Sequence, residues 1–200
     1  PETAERMKIP FELINENPIP GLPHLLQHTI ESNIRLSQIN LIMRADWFLR
    51  GEKNLRRALV LARSLGVRIL LASVGFESFD DMILRNLNKG LNVETNLQAI
   101  HLMRQLKEEF PLVWGYSRPE GAIHGFIHPT PWDTEESSAN IQRVLSLHKL
   151  PPDILPEHSI PLIIHHASGL GNWIREVERR EWVQFKRYGS IIGWWHEEKR

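Results

Sequence analysis

Residues 67–90 read VRILLASVGFESFDDMILRNLNKG, and this stretch decides the fold. VRILLASV is a short, nearly continuous apolar run, which is typical of a strand buried on both faces of a parallel sheet. The run ends at a Gly75-Phe76-Glu77-Ser78 corner, and residues 80–87 then predict a helical turn that ends near Gly90. A strand, a polar corner and a helix in this order predict one unit of a parallel α/β fold.

The same order recurs along the chain. Further strands are predicted at residues 39–43, 122–127 and 160–164, and helices at 22–34, 54–65, 93–109, 134–148 and 171–188. Alternation of this kind implies parallel strands joined by right-handed crossovers. A full eight-unit barrel takes roughly 250 residues. About four units therefore predict an α/β fold that is half of a TIM-type (β/α) barrel, or an open sheet.

Three regions follow from this pattern. Residues 1–38 are predicted to form an arm and a short helix, since five prolines among residues 1–23 favour irregular, extended chain. Residues 39–168 are predicted to form the partial barrel, and residues 169–200 a helical extension. Because the chain opens on proline within a polar stretch, we expect it to be a piece of a longer protein.

Composition restricts the function classes. Lys and Arg number 24 against 24 Asp and Glu, so the formal net charge is +0. Nucleic-acid and anionic-membrane surfaces need clustered positive charge, so neither partner is expected. The absence of cysteine excludes disulfides, thiolate zinc sites and an iron–sulfur cluster ligated by this chain. No apolar run reaches the length of about 18 residues that a membrane span needs. We expect a cytoplasmic protein with a small-molecule substrate.

Polar side chains follow every predicted strand, at the end where ligands bind in parallel α/β folds. They are Arg44 and Asp46, Glu77 and Ser78, His128, Thr130 and Asp133, and His165, His166 and Ser168. These groups could form one shared site. They could equally be ordinary helix caps and loop starts.

Glu77 and Ser78 form the sharpest pair of candidates. A carboxylate can accept hydrogen bonds from both hydroxyls of a ribose, as acidic residues do in dinucleotide folds. Alternatively, Ser78 caps the next helix and Glu77 pairs with a neighbouring cation. Arg44 could clamp a ligand carboxylate through two hydrogen bonds, or pair with Asp46 or Glu77.

Residues 121–136 carry a second pattern, GAIHGFIHPTPWDTEE. Gly-x-Ile-x-Gly spans Gly121 to Gly125, and Asp133 or Thr134 can cap a helix whose positive end suits the two glutamates that follow.

Together, these two stretches resemble radical S-adenosylmethionine (SAM) iron–sulfur oxidoreductases over roughly residues 40–150. That family often shows an acidic residue where this chain has His128. The resemblance implies a partial barrel in which Glu77 and Ser78 contact the ribose or methionine of SAM. It also implies that the strand around Ile123 packs on adenine and that Arg44 faces a carboxylate. The cofactor-binding candidates are Arg44, Asp46, Glu77, Ser78, Ile123, Gly125, Ile127, His128 and His166.

The family holds a [4Fe-4S] cluster with a Cys-x3-Cys-x2-Cys loop, which this chain lacks. The resemblance therefore implies a fragment that carries part of the SAM cradle and is inactive alone. In the parent protein, the reduced cluster would cleave SAM to a 5′-deoxyadenosyl radical, which abstracts hydrogen from the substrate.

Other interpretations stay open. One is a non-catalytic α/β domain that binds a small molecule or a partner. Another is a metal-dependent hydrolase with His128, His166, Asp46 and Glu77 as ligands. Half a barrel also leaves strand edges at residues 39–43 and 160–164, which predicts a homodimer unless the N-terminal arm covers an edge. The Trp- and Arg-rich C-terminal residues suggest either RNA stacking or a packed helix with a basic face.

Overall fold

The structure, a computed structural model, describes residues 10–13, 15–154 and 159–198. The chain forms two compact units. The first comprises residues 1–126 and 134–159, and the second comprises residues 127–133 and 160–200. None of the described helices combines the length and the apolar character needed to cross a membrane.

The first unit contains a four-stranded parallel sheet in sequence order. Its strands are β1 (Phe11–Leu13), β2 (Gln38–Arg44), β3 (Arg68–Gly75) and β4 (Trp114–Gly115). The strands predicted at residues 39–43 and 67–74 are confirmed as β2 and β3. Residues 11–13 of the predicted arm are regular, because they pair with the outer edge of β2, whereas residues 1–9 lie outside the described residues. The edge predicted at residues 39–43 is therefore covered by the arm.

Helices follow the strands, as the periodicity predicts. In the first unit they are α1 (Leu22–Glu31), α2 (Ala45–Arg50), α3 (Glu52–Leu65), α4 (Asp81–Asn86), α5 (Val93–Glu109) and α6 (Glu135–Leu147), with short 3-10 helices at Ile19–Gly21 and Arg118–Glu120. Local signals set their ends. Gly66 ends α3 in the left-handed conformation, at φ 67°, and Thr134 starts α6 with a capping box.

One face of this sheet is covered by helices, whereas the other carries buried residues, such as Leu70, as well as exposed ones. Along β2, Ile39, Leu41 and Met43 are buried in the core, whereas Ile42 between them is exposed. Alternate strand residues point to opposite faces, so the buried set marks the helix side. On that side Phe48 of α2 stacks on Trp114, with ring centroids 5.9 Å apart. Ile42 lies on the opposite face, and Ile123, in the chain after β4, is also exposed.

The third predicted strand, residues 122–127, does not form a regular ladder, and this prediction is corrected. β4 ends after two residues, and the chain leaves the sheet through the 3-10 helix Arg118–Glu120. It then returns beside β3, where the Ile123 N–H donates to the Ala72 carbonyl at 2.7 Å. The next donor on β3, the Val74 N–H, bonds to the Nδ1 atom of His124 at 3.0 Å. A side chain thus takes the place of a backbone acceptor, and the ladder breaks there.

The second unit contains β5 (Ile164–His165), α7 (Gly169–Glu181), β6 (Gln184–Tyr188) and β7 (Ile191–Glu198). The three strands form an antiparallel sheet in the order β5-β7-β6. The fourth predicted strand, residues 160–164, is therefore only partly correct. Ile160 makes an isolated parallel bridge to Ile127, and the regular strand is the antiparallel β5.

The C-terminal helix predicted over residues 171–188 is wrong beyond Glu181. Trp182 adopts the left-handed conformation, at φ 54°, and ends α7. Residues 184–198 then form a β-hairpin around Gly189, whose φ of 58° suits the turn. The short alternating segment QFKRY before a Gly-Ser turn is the signal that helical periodicity had masked.

Candidate functional site

Glu77 occupies a strained turn directly after β3. Its φ of 64° lies in the left-handed region, which is uncommon for a residue with a side chain. The Ser78 N–H donates to the Phe76 carbonyl at 2.8 Å, which closes a three-residue γ-turn around Glu77. Strained backbone of this kind clusters at functional sites, so this outlier draws attention to Glu77 among the predicted site residues.

Gly75 makes room for the Glu77 carboxylate. A Cβ atom at residue 75 would lie 3.0 Å from the Oε1 atom of Glu77, which is tighter than ordinary contact. The Glu77 side chain therefore folds back over the last residue of β3. Glycine at position 75 therefore leaves the space that the carboxylate of Glu77, two residues later, occupies.

Four charged side chains meet at this end of the sheet. The Nζ atom of Lys89 lies 2.8 Å from Oε1 of Glu77, and the Nε atom of Arg44 lies 2.9 Å from Oδ1 of Asp46. Arg44 also donates to the backbone carbonyl of Lys89. The structure thus brings together Arg44, Asp46 and Glu77 through Lys89. Both ion-pair alternatives, Arg44 with Asp46 and Glu77 with a nearby cation, are observed.

Lys89 is the site residue that sequence reasoning missed. The sequence feature that could have pointed to Lys89 is its position in the Leu-Asn-Lys-Gly segment after α4, twelve residues beyond Glu77. Sequence patterns do not reveal which of many lysines turns back toward a strand end.

Ser78 is buried and serves the turn itself. Its Oγ atom accepts a hydrogen bond from the Asp80 N–H at 3.2 Å. The alternative in which Ser78 caps the next helix is wrong, because Asp80 accepts from the N–H groups of Met82 and Ile83 and caps α4. Direct contact of Ser78 with a ligand stays a prediction.

Ile123 and Gly125 flank the buried His124 in the chain beside β3. Ile123 is 54% exposed and Gly125 is half-buried. The Nε2 atom of His124 lies 2.6 Å from the Tyr116 carbonyl, and its Nδ1 atom accepts from the Val74 N–H. Burial lowers the pKa of His124, against the opposing effects of the Tyr116 hydrogen bond and the charge of Asp153. A neutral imidazole is the form that can accept at Nδ1 and donate at Nε2.

Ile127, His128 and His166 belong to the second unit. The Nδ1 atom of His128 lies 3.0 Å from Oδ2 of Asp133, and the His128 side chain is half-exposed. Asp133 also accepts from the Thr130 N–H. The backbone N–H of His166 donates to the Ser190 carbonyl at 2.9 Å.

A cavity of about 600 Å³ opens beside Arg44, at the carboxyl ends of β1 and β2. It is lined by Glu12, Leu13, Asn15, Glu16, Ile42, Met43, Arg44 and Trp47. The guanidinium of Arg44 lies 5.5 Å from the centre of the Trp47 ring. In the part of the chain that the structure describes, no three or more His, Cys, Asp or Glu side chains are grouped to hold a metal ion. The metal-hydrolase alternative therefore finds no support.

A second charged cluster lies at the opposite, amino end of the sheet. There Glu120 accepts from Lys107 at 2.7 Å and from Arg68, the first residue of β3, at 3.0 Å. It also accepts from the Ser117 hydroxyl and from the backbone N–H groups of Tyr116 and Ser117. Burial opposes the charge of Glu120, but these hydrogen bonds outweigh burial and lower its pKa to about 2.

Comparison with known proteins identifies the fold alone. No protein-family model matches the chain, and no curated protein matches it in sequence. Among solved structures, it is similar to OxsB, a cobalamin-dependent S-adenosylmethionine radical enzyme whose structure was determined in the apo, selenomethionine-labelled form. The TM-score is 0.59 at 13% identity, over 92% of this chain. The chain spans 30% of the length of OxsB. The α/β fold predicted from sequence is thus shared with a radical SAM enzyme.

Proposed function

We propose that this chain carries part of the SAM and substrate cradle of a radical SAM oxidoreductase, on a partial (β/α) barrel. The observation that carries the proposal is the strained Glu77 turn at the carboxyl end of β3, in a chain whose fold is similar to that of a radical SAM enzyme. Ligands bind at this end of parallel strands in barrel and open-sheet folds alike.

In this proposal, three residues each contact one part of an adenosyl ligand. The Glu77 carboxylate accepts hydrogen bonds from the ribose hydroxyls, and the exposed side chain of Ile123 packs on the adenine ring. Arg44 faces the carboxylate of the methionine portion beside the cavity. Lys89 must yield part of its contact with Glu77 when the ribose binds, since both use the same carboxylate.

The residues do not fit an iron–sulfur cluster. Such clusters are held by cysteine thiolates, and none of the 200 residues is cysteine. We expect this chain to bind no [4Fe-4S] cluster after anaerobic reconstitution and not to cleave SAM. Absorbance in the charge-transfer region of the cluster checks this, and a stoichiometric cluster signal would contradict it.

Binding of SAM or S-adenosylhomocysteine by the chain itself is the direct test. Without a cluster to anchor the amino acid end, we expect millimolar affinity, about −4 kcal/mol. An NMR titration should shift the amide signals of residues near 75–80 and 123–126. Glu77→Gln should weaken binding several-fold, because an amide accepts with only one oxygen.

Glu94→Gln is the matched control, since Glu94 lies exposed on α5 and contacts Gln98. It should leave the titration unchanged. Shifts confined to other regions, or none at several millimolar ligand, would refute the adenosyl proposal.

A further inference from the structure

The turn that carries Glu77 is fastened by one side chain from another element. Asn96, in the first turns of α5, is fully buried. Its Nδ2 atom donates to the carbonyls of Phe76 and Ser78, at 2.9 Å each. These two residues flank Glu77. The opposite amide orientation would place an oxygen against two carbonyl oxygens, so the geometry assigns the nitrogen to this position.

The turn needs such a restraint. A left-handed residue with a side chain persists only where its surroundings hold it. Released from Asn96, Glu77 can relax toward extended backbone, which moves its carboxylate away from Gly75 and Lys89. The Glu77 side chain would then be present but wrongly aimed.

Asn96 has no other evident task. Asn92 already caps α5, because its Oδ1 atom accepts from the Thr95 N–H at 2.8 Å. The Oδ1 atom of Asn96 has no partner among the described residues, and an unpaired buried acceptor is unfavourable. An apolar side chain would avoid that penalty. The two donated hydrogen bonds are therefore what the amide contributes.

We propose that Asn96 is the positioning residue of the site, holding Glu77 in its ligand-binding conformation before any ligand arrives. The geometric part of this inference stands on the contacts alone, whereas its consequence for binding rests on the proposed adenosyl function. A preorganised carboxylate loses less freedom on binding than one that must first find its conformation. Asn96 thus raises affinity through Glu77 and need not touch the ligand.

The test uses Asn96→Ala in the full chain, with Asn92→Ala as a matched control. Both variants remove one amide from the start of α5, and both should lower the Tm. Only Asn96→Ala should change the HN–Hα coupling constant of Glu77 and the amide shifts of residues 76–78 in the absence of ligand. It should also weaken S-adenosylhomocysteine binding about tenfold, whereas the affinity of Asn92→Ala should stay within twofold of that of the unmodified chain.

A second pair of variants guards against loss of folding and separates the outcomes. Asn96→Leu nearly keeps the size of the side chain but removes both donors, and we expect it to match Asn96→Ala. Asn96→Ala combined with Glu77→Ala should bind no more weakly than Glu77→Ala alone, because Asn96 acts through Glu77. Unchanged coupling and amide shifts in both Asn96 variants would overturn the proposal. If the turn changes in the variants but the unmodified chain binds no adenosyl ligand, the proposed function fails while the positioning role stands.

Discussion

The two ends of the parallel sheet each hold a glutamate of nearly equal exposure, 18% for the Glu120 side chain and 17% for Glu77. At the amino end, both oxygens of Glu120 are occupied by two cations, a hydroxyl and two backbone N–H groups. At the carboxyl end, the Glu77 carboxylate has one ionic partner within the described residues, Lys89.

Burial alone therefore does not separate a structural carboxylate from one that can bind a ligand. The two glutamates differ instead in the number of hydrogen bonds and ion pairs that each carboxylate already makes. Glu120 has little acceptor capacity left, whereas Glu77 has oxygen lone pairs available at the end of the sheet where ligands bind.

The largest expected effect breaks the amino-end cluster. Glu120→Gln removes the charge that faces Lys107 and Arg68 and leaves two partly buried cations without their anion. We expect a loss of about 2–3 kcal/mol in the free energy of unfolding, measured by urea denaturation. Ligand binding at Glu77 should not change.

Glu77→Gln is the counterpart and should lower stability by less than about 1 kcal/mol, because it affects one partly exposed ion pair. Equal stability losses at the two glutamates would remove the distinction between the two ends.

Acid titration tests the same cluster through its pKa. The pKa of Glu120 falls from an ordinary value of 4.5 to about 2 in the folded chain. A lowered carboxyl pKa stabilises the fold above the unfolded value, and this contribution is lost as the pH drops from about 4.5 toward 2. After allowance for solvent screening, the loss should be about 1–2 kcal/mol.

Chemical denaturation across this pH range measures the free energy of unfolding of the unmodified chain and of Glu120→Gln. The variant should show a shallower decline in stability. Parallel curves would mean that other carboxyl groups account for the acid sensitivity.

His124 sharpens the comparison at milder pH. Its pKa is lowered by burial, so its neutral form stabilises the fold above the ordinary histidine pKa of about 6.5. Stability from this group is lost as the pH falls below that value, because protonation of Nδ1 removes the acceptor for the Val74 N–H.

His124→Gln should reduce the slope of stability against pH as the pH falls below about 6.5. NMR should place the titration midpoint of His124 below the ordinary histidine value of about 6.5. A normal titration midpoint for His124 would show that the imidazole is not held neutral in the folded chain.

The smallest effect on stability is expected for Lys89→Ala. The ion pair with Glu77 is partly exposed, and such pairs contribute about 0–1 kcal/mol. Removal of the ammonium frees the Glu77 carboxylate for ribose hydroxyls, so adenosyl affinity should rise two- to threefold even as stability falls slightly, on the order of 0.5 kcal/mol. Weaker binding in an NMR titration would show instead that Lys89 contacts the ligand.

The sequence by itself determined the elements that depend on near neighbours. The apolar run of β3, the left-handed Gly66 after α3 and the Thr134 capping box all use interactions within a few residues, and all appear as expected. The Gly75-to-Ser78 corner was also identifiable, because a polar segment between a buried strand and a helix falls at a strand end.

Only the tertiary structure decided which distant groups meet. β4 is two residues long, too short for a sequence pattern, and it forms because β3 offers it an edge. The segment over residues 122–127 lost its ladder to the His124 side chain, fifty residues from its Val74 partner. Lys89, twelve residues after Glu77, contacts the turn from the loop before α5. Asn96, nineteen residues after Glu77, contacts it from α5 itself. Such contacts depend on the positions of whole elements, which no local periodicity encodes.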